Sequence, residues 1–353
     1  MRYGLIASNP LERLGMALGL VPVPLIDGYA FAFSRALMVA TKLKLFDALK
    51  HGPKTAAEVA GTASTDPGAT EKLLNLLIAM RYVELADGRY RLTRLASRFL
   101  VGDRSKSVHD AVLMKFLEWR WLEGLEEFVR TGEPLEVHAD LPADDWRLYQ
   151  RGMRDMASFV APEVARRIPM PEGATQMLDI GGSHGYFSVA LCRRHAGLTA
   201  TVLDLPEAVA QSAPILEAEG MGDRITFRAG DAFIEDLGES AFDLILMFSL
   251  VHHFDDVTNR RLVARAARAL RPGGRLVIGD SVRPEAGKAD QIRSFFDLYF
   301  ALTSQSGLWT TDEMAAWQRS AGLSPAKPIW LRMSQGIALQ IGERPRSEAA
   351  AAH

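Results

Sequence analysis

Residues 177–191 read MLDIGGSHGYFSVAL. An apolar run ends in an acid, passes through small residues and resumes with apolar residues at helical spacing. The pattern is strand, tight turn, helix. Gly181, Gly182 and Gly185 let the backbone bend sharply and approach a ligand, because no Cβ intrudes. Asp179 stands at the strand end beside that bend. A pyrophosphate site is built from helix N-terminal amides without a neighbouring carboxylate. An acid here suits a ligand with a cationic group, such as the ammonium of an amino acid. The spacing from Gly181, G-G-S-H-G-Y, also departs from the G-x-G-x-x-G of dinucleotide-binding loops.

Outward from this stretch, short apolar runs alternate with amphipathic segments. Strands are expected at 176–180, 200–203, 225–228, 242–248 and 275–279, with two more near 328–333 and 336–341. Helices are expected at 206–219, 258–270 and 291–301. The alternation predicts a mostly parallel sheet with crossover helices. In such sheets ligands bind beyond the carboxyl ends of the strands. Two more acids fall there. Asp204, in VLDLPEAV, sits where a ribose diol would lie. Asp231, in RAGDAF, has Phe233 close behind; the acid can accept from an exocyclic amine while the ring packs on a base. Its alternative is a helix cap.

N-terminal to the boundary at 168–176 (IPMPEGATQ) the pattern is mainly helical. Helices are expected at 36–49 and 70–80, with Thr55 capping a short one between them. A hairpin is expected over 82–93 with its turn at Asp87-Gly88. Three helices and a hairpin make a winged-helix pattern. The helix in the recognition position holds Glu71 and Lys72 followed by apolar residues, so it lacks a groove-reading face. This region therefore reads as a packing or dimerisation device. Aromatic-rich helical stretches follow at 116–128 and 144–168.

Composition narrows the classes. The chain has 353 residues, 48% of them hydrophobic, and a formal net charge of -2 from 41 basic and 43 acidic side chains. That length supports two domains or more, and no basic run marks a nucleic-acid footprint. Cys192 is the only cysteine, which fits a reducing, cytoplasmic setting. The apolar segment 15–26 carries Pro22 and Pro24 and reads as a packing segment, and no membrane span is expected. No metal-ligand spacing stands out.

MLDIGGSHGYFS, VLDLPEAV, RAGDAF, HHFDDVTNRRLVARAARALRPGGRLVI and the late AGL…IALQIGE together resemble the S-adenosylmethionine-dependent O-methyltransferases of the plant caffeate and bacterial secondary-metabolite type. The resemblance runs from about residue 30 to 342. It implies a seven-stranded Rossmann-like sheet, an N-terminal winged-helix dimerisation domain and a homodimer acting on a small molecule. The expected divisions are 1–105 for dimerisation, 106–170 as a helical linker to the substrate pocket, 171–343 for the cofactor and 344–353 as a frayed tail. Carried onto this chain, the family's cofactor contacts fall on Asp179, Gly181, Gly182, Gly185, Asp204, Leu205, Asp231, Ala232, Phe233 and Phe248.

The chemistry implied is in-line methyl transfer from a sulfonium, in which the protein positions the acceptor and removes its proton. A phenol needs a base with a pKa near the working pH, and histidine fits. The family motif puts this base at His252, with His253 where an Asp is common. Asp280, 28 residues on, matches the first of two flanking acids. The second falls on Trp309, a departure that leaves open altered chemistry: N- or C-methylation, or catalysis without methyl transfer. A non-enzymatic winged-helix ligand sensor is the remaining alternative. Met153, Met156, Phe296, Phe300, Ser304 and Trp309 are the acceptor-contacting candidates, suited to a planar aromatic or polyketide-like hydroxyl compound.

Overall fold

The structure is a computed structural model and describes residues 4, 6–7, 9–139, 141–288 and 290–346. Most of the tail expected at 344–353 lies outside the described residues. The chain forms two compact units, Met1–Phe116 and Leu117–His353.

In the first unit, Ala30–Lys42 and Leu45–Ala48 are separate helices where one was expected over 36–49, because Lys44 takes a left-handed conformation between them. Ala56–Ala63 starts at a capping box in which Thr55 and Glu58 satisfy each other's backbone N–H groups. Pro67–Ala79 starts at Asp66, whose side chain accepts from Ala69 N–H. The hairpin pairs β1 (Val83–Ala86) with β2 (Arg89–Leu92). Its two turn residues, Asp87 and Gly88, both have positive φ, as a two-residue hairpin turn requires. Leu45, Phe46, Val59, Leu74, Leu77 and Tyr90 close the core of this unit.

The stretch Val23–Lys42 is nearly continuous helix with a hydropathy of 1.3, long and apolar enough to cross a membrane by length and composition. The prolines that argued against a span lie at its start, where proline is compatible with a first helical turn. Only 11% of this stretch is buried within the chain.

The second unit is built on one sheet. Its strands are β3 (Gln176–Ile180), β4 (Thr199–Asp204), β5 (Ile225–Ala229), β6 (Phe242–Phe248), β7 (Leu270–Ser281), β8 (Ser324–Pro325), β9 (Ile329–Trp330) and β10 (Ile337–Glu343). The order is β5-β4-β3-β6-β7-β10-β8, with β9 paired to β10 off that path. The strands β3 to β7 run parallel, while β10 is antiparallel to β7. The order reverses between β3 and β6, so the crevice beyond their carboxyl ends is the topological switch point. Successive side chains of β3 serve opposite faces. Met177 packs with Val164, Leu191 and Val202 on one face, and Leu178 and Ile180 with Leu262 and Trp317 on the other.

Candidate active site

The loop after β3 is shaped by its own residues. Gly181, Ser183 and Gly185 all have positive φ, at 66°, 53° and 72°. A Cβ on Gly182 would lie 2.6 Å from Val202 and 2.7 Å from the carboxyl carbon of Asp179, so only glycine fits without displacing them. Ser183 is not glycine, yet it holds a left-handed conformation that costs a side-chain-bearing residue about 1 kcal/mol. Its N–H donates to Asp204 (2.7 Å) and its hydroxyl bonds the buried Gln150 of the helix Ala143–Arg167.

Asp179 is fully buried. One carboxylate oxygen accepts from the Ser188 hydroxyl at 2.7 Å, and the other has no hydrogen-bond partner. Burial, aided by the charge of Asp204, pushes its pKa up to about 7, against the opposing Ser188 bond. An orphaned, buried carboxylate oxygen is a costly arrangement that a cationic ligand group relieves. The pKa of Asp204 is raised by burial too, although its two oxygens accept from the backbone N–H groups of Ser183 and Leu205. Leu205 directly precedes the helix Pro206–Ala218 and makes no side-chain capping bond.

Asp231 accepts from Phe233 N–H at 2.8 Å, and Phe233 stands edge-on to Phe254 with centroids 5.1 Å apart. The Ala232 carbonyl accepts from Arg265 (2.9 Å). An open depression of about 650 Å³ borders Asp231 and Phe233 and is lined on its other side by Arg261, Arg265 and Arg268. Phe248 is in the core, stacked on Phe187 at 4.0 Å.

The other half of the site lies beyond β6 and β7. His252 sits in the 3₁₀ turn Val251–His253, and Asp280 near the end of β7. They are 3% and 2% exposed, and His252 Nδ1 lies 3.0 and 2.9 Å from the two carboxylate oxygens. The imidazole therefore donates from Nδ1, leaving Nε2 with its lone pair. Among the described residues nothing hydrogen-bonds Nε2. Phe300 stacks flat on the ring, with centroids 3.7 Å apart. The turn itself is pinned: Asn259 donates to the carbonyls of Val251 and Phe254, and Ser306 to Phe254.

The acceptor candidates divide. Phe296 stacks on Phe300 at 5.7 Å, and Ser304 is 2.7 Å from His253 Nδ1. Trp309 donates its indole N–H to Val251 O (3.1 Å), packs edge-on against Trp317 and brings no carboxylate. Glu313, the nearby acid, is used to cap the helix Thr311–Ser320 and to pair with Arg283. Met153 is half-buried and Met156 is exposed on the helix Ala143–Arg167. Sequence reading missed Gln150, Ser188, Asn259 and His138; none lies in a spacing that signals chemistry. His184, buried, accepts from Tyr186 N–H at 3.0 Å and is driven down to about 3 by burial and Arg154, so it is a neutral cap.

The O-methyltransferase domain family matches residues 129–324, more than half of the chain, and the O-methyltransferase dimerisation domain matches residues 25–102. A 3-hydroxy-5-methyl-1-naphthoate 3-O-methyltransferase of Streptomyces sahachiroi is 27% identical over 84% of this chain and 87% of its own. The N,N-dimethyltransferase OxyT of Streptomyces rimosus is 28% identical over 78% of this chain and 81% of its own. The crystal structure of human N-acetylserotonin methyltransferase, in complex with SAM, shares the fold with a TM-score of 0.80 at 21% identity, covering 91% of this chain and 97% of its own. These matches, the switch-point crevice and the buried His252–Asp280 pair agree: this chain belongs to the O-methyltransferase family and is a methyltransferase.

Proposed function

We propose that the protein is an S-adenosylmethionine-dependent O-methyltransferase that modifies a hydroxyl of a small planar aromatic or polyketide-like metabolite, with His252 as general base. The observation that carries this reading is the His252–Asp280 pair, which leaves one basic nitrogen without a protein partner beside the flat face of Phe300. The relative named for a hydroxynaphthoate supports a flat, oxygenated acceptor.

The residues fit the cofactor. The unpartnered oxygen of Asp179 matches an ammonium group, Asp204 retains acceptor capacity for ribose hydroxyls, and Asp231 with Phe233 borders an open depression large enough to admit a purine base. When bound, S-adenosylmethionine supplies a methyl group already activated by its sulfonium. The chain's own task is then to orient the acceptor and take its proton. Asp280 accepts from Nδ1–H, fixes the tautomer of His252 and stabilises the imidazolium formed when Nε2 takes the phenolic proton. Phe300 and Phe296 present flat surfaces to an aromatic acceptor.

The family match at 25–102 supports a homodimer, in which exposed Leu25, Tyr29, Phe31 and Phe33 lose their contact with water. The single, buried Cys192 supports a reducing, cytoplasmic setting. Methyl transfer to nitrogen is a second reading, supported by Trp309 in place of an acid and by the N,N-dimethyltransferase relative. Incubation with S-adenosylmethionine and panels of phenols and of amines, read by mass gain of one methylene, separates the two. Methylation of neither panel refutes both.

A further inference from the structure

Two imidazoles, His253 and His138, line up beside the proposed base His252. His138 comes from the segment that precedes the helix Ala143–Arg167. That segment is fastened by Leu135 N–H to Leu302 O (2.8 Å) and by Gln305 to Glu136 (3.3 Å). The His138 ring stands perpendicular to His253, with centroids 5.1 Å apart, and edge-on to Tyr149 at 5.2 Å. The His253 ring is 4.3 Å from that of His252. His253 spends Nδ1 on Ser304. Among the described residues, no hydrogen bond reaches Nε2 of His253 or either nitrogen of His138. This half-buried ring has two unused nitrogens, yet it is held in place by a strap and by the rings of Trp146, Tyr149 and His253.

Resting on the reading of His252 as base, we propose that His138 and His253 form a polar subsite for a second oxygen of the acceptor, a hydroxyl or carbonyl on the same fused-ring skeleton. His138 is then a specificity-determining residue. Burial, aided by His252, pushes His138 down to about 4, and burial also holds His253 well below the usual histidine range. Both rings are neutral at pH 7, so each offers one N–H donor or one lone pair, but no cation. That chemistry serves a neutral hydroxyl or carbonyl and does not compensate a carboxylate. A site with polar groups waiting for a substrate oxygen discriminates against the analogue that lacks it, because those groups stay unpaired.

The test uses two probes, 1,8-dihydroxynaphthalene and 1-naphthol, titrated calorimetrically into the full-length protein with and without saturating S-adenosylhomocysteine. The expected result is that the diol binds about tenfold tighter than the mono-ol, the effect of one well-made hydrogen bond. In His138→Phe this ratio falls to about one, and in His138→Gln, which keeps a donor and an acceptor, much of it returns. The glutamine variant also carries the test if the phenylalanine variant does not fold. A ratio unchanged in His138→Phe, equal weakening of both probes, no wild-type preference or no binding of either probe overturns the proposal. Failure of S-adenosylhomocysteine itself to bind counts against the cofactor reading alone, since the probe ratio is still read without it.

Discussion

Ser183 and Gln150 are hydrogen-bonded through their side chains, and this bond ties the helix Ala143–Arg167 to the loop after β3. Gln150 is 1% exposed, so its amide has no water as a ready substitute, whereas Ser183 is half-buried. The same helix carries Tyr149, which touches His138, and Met153. Gln150→Leu is expected to remove the partner of the half-buried Ser183 hydroxyl, cost about 1 kcal/mol in stability and weaken S-adenosylhomocysteine several-fold. Calorimetric titration checks this; unaltered affinity and melting temperature would show that the bond is incidental.

The pairing of His252 with Asp280 makes a separable prediction. Asp280→Asn keeps the shape but presents an amide that favours the wrong tautomer or a poorer partner. The expected loss in kcat is about 10²–10⁴-fold, with cofactor affinity retained. His252→Ala should lose at least as much. Steady-state kinetics on any accepted phenol reads both, and an Asp280→Asn enzyme with wild-type kcat sinks the assigned role.

Asp179 sets a pH dependence. Its pKa is raised to about 7 from an ordinary 3.8, primarily by burial. The folded protein therefore binds the extra proton between those values. Its stability without cofactor should fall as pH rises from about 4 through 7, by on the order of a few kcal/mol. A bound ammonium restores the carboxylate's favour. The thermal shift produced by S-adenosylhomocysteine should accordingly grow between pH 5.5 and pH 8, and Asp179→Asn should flatten the profile of the free protein while weakening the ligand. A ligand-induced shift that is constant with pH contradicts this assignment.

Trp309 is not a vacant acid position. Its indole is bonded to Val251 O, packs on Trp317 and lies under the Arg283 guanidinium, 5.6 Å from the ring centroid. Trp309→Glu should not raise activity. It removes aromatic packing at a cost of about 3–5 kcal/mol and offers Arg283 a competing carboxylate. Trp309→Phe, which loses mainly one hydrogen bond, should cost about 1 kcal/mol. Chemical denaturation distinguishes the two, and a more active glutamate variant would reverse the argument.

The sheet was legible because its strands are continuous apolar runs bounded by acids and glycines. The expected bounds of β3 and β6 match those observed, and β7 extends further in both directions. The short β9 falls inside the strand expected near 328–333, whereas β8 was not anticipated: a two-residue strand leaves no periodicity to detect. Asp179, Asp204 and Asp231 were read as candidates because they stand at or just beyond strand ends. His138 and Gln150 did not, because their significance comes from partners 115 and 33 residues away, His253 and Ser183. The break at Lys44 was missed because a left-handed lysine has no sequence signature. The helical turns ahead of residue 36 were not anticipated: the expected helix was 36–49, whereas Val23–Asp27 and Ala30–Lys42 are helical.

Gly182 is wedged between Val202 and Asp179 with no room for one more carbon. The bend is consequently shaped before any cofactor arrives, and little conformational freedom is left to surrender on arrival. Nucleoside capture should then proceed without slow reorganisation of this turn, at a rate set by diffusion and orientation, and residence time should report on the quality of the polar contacts.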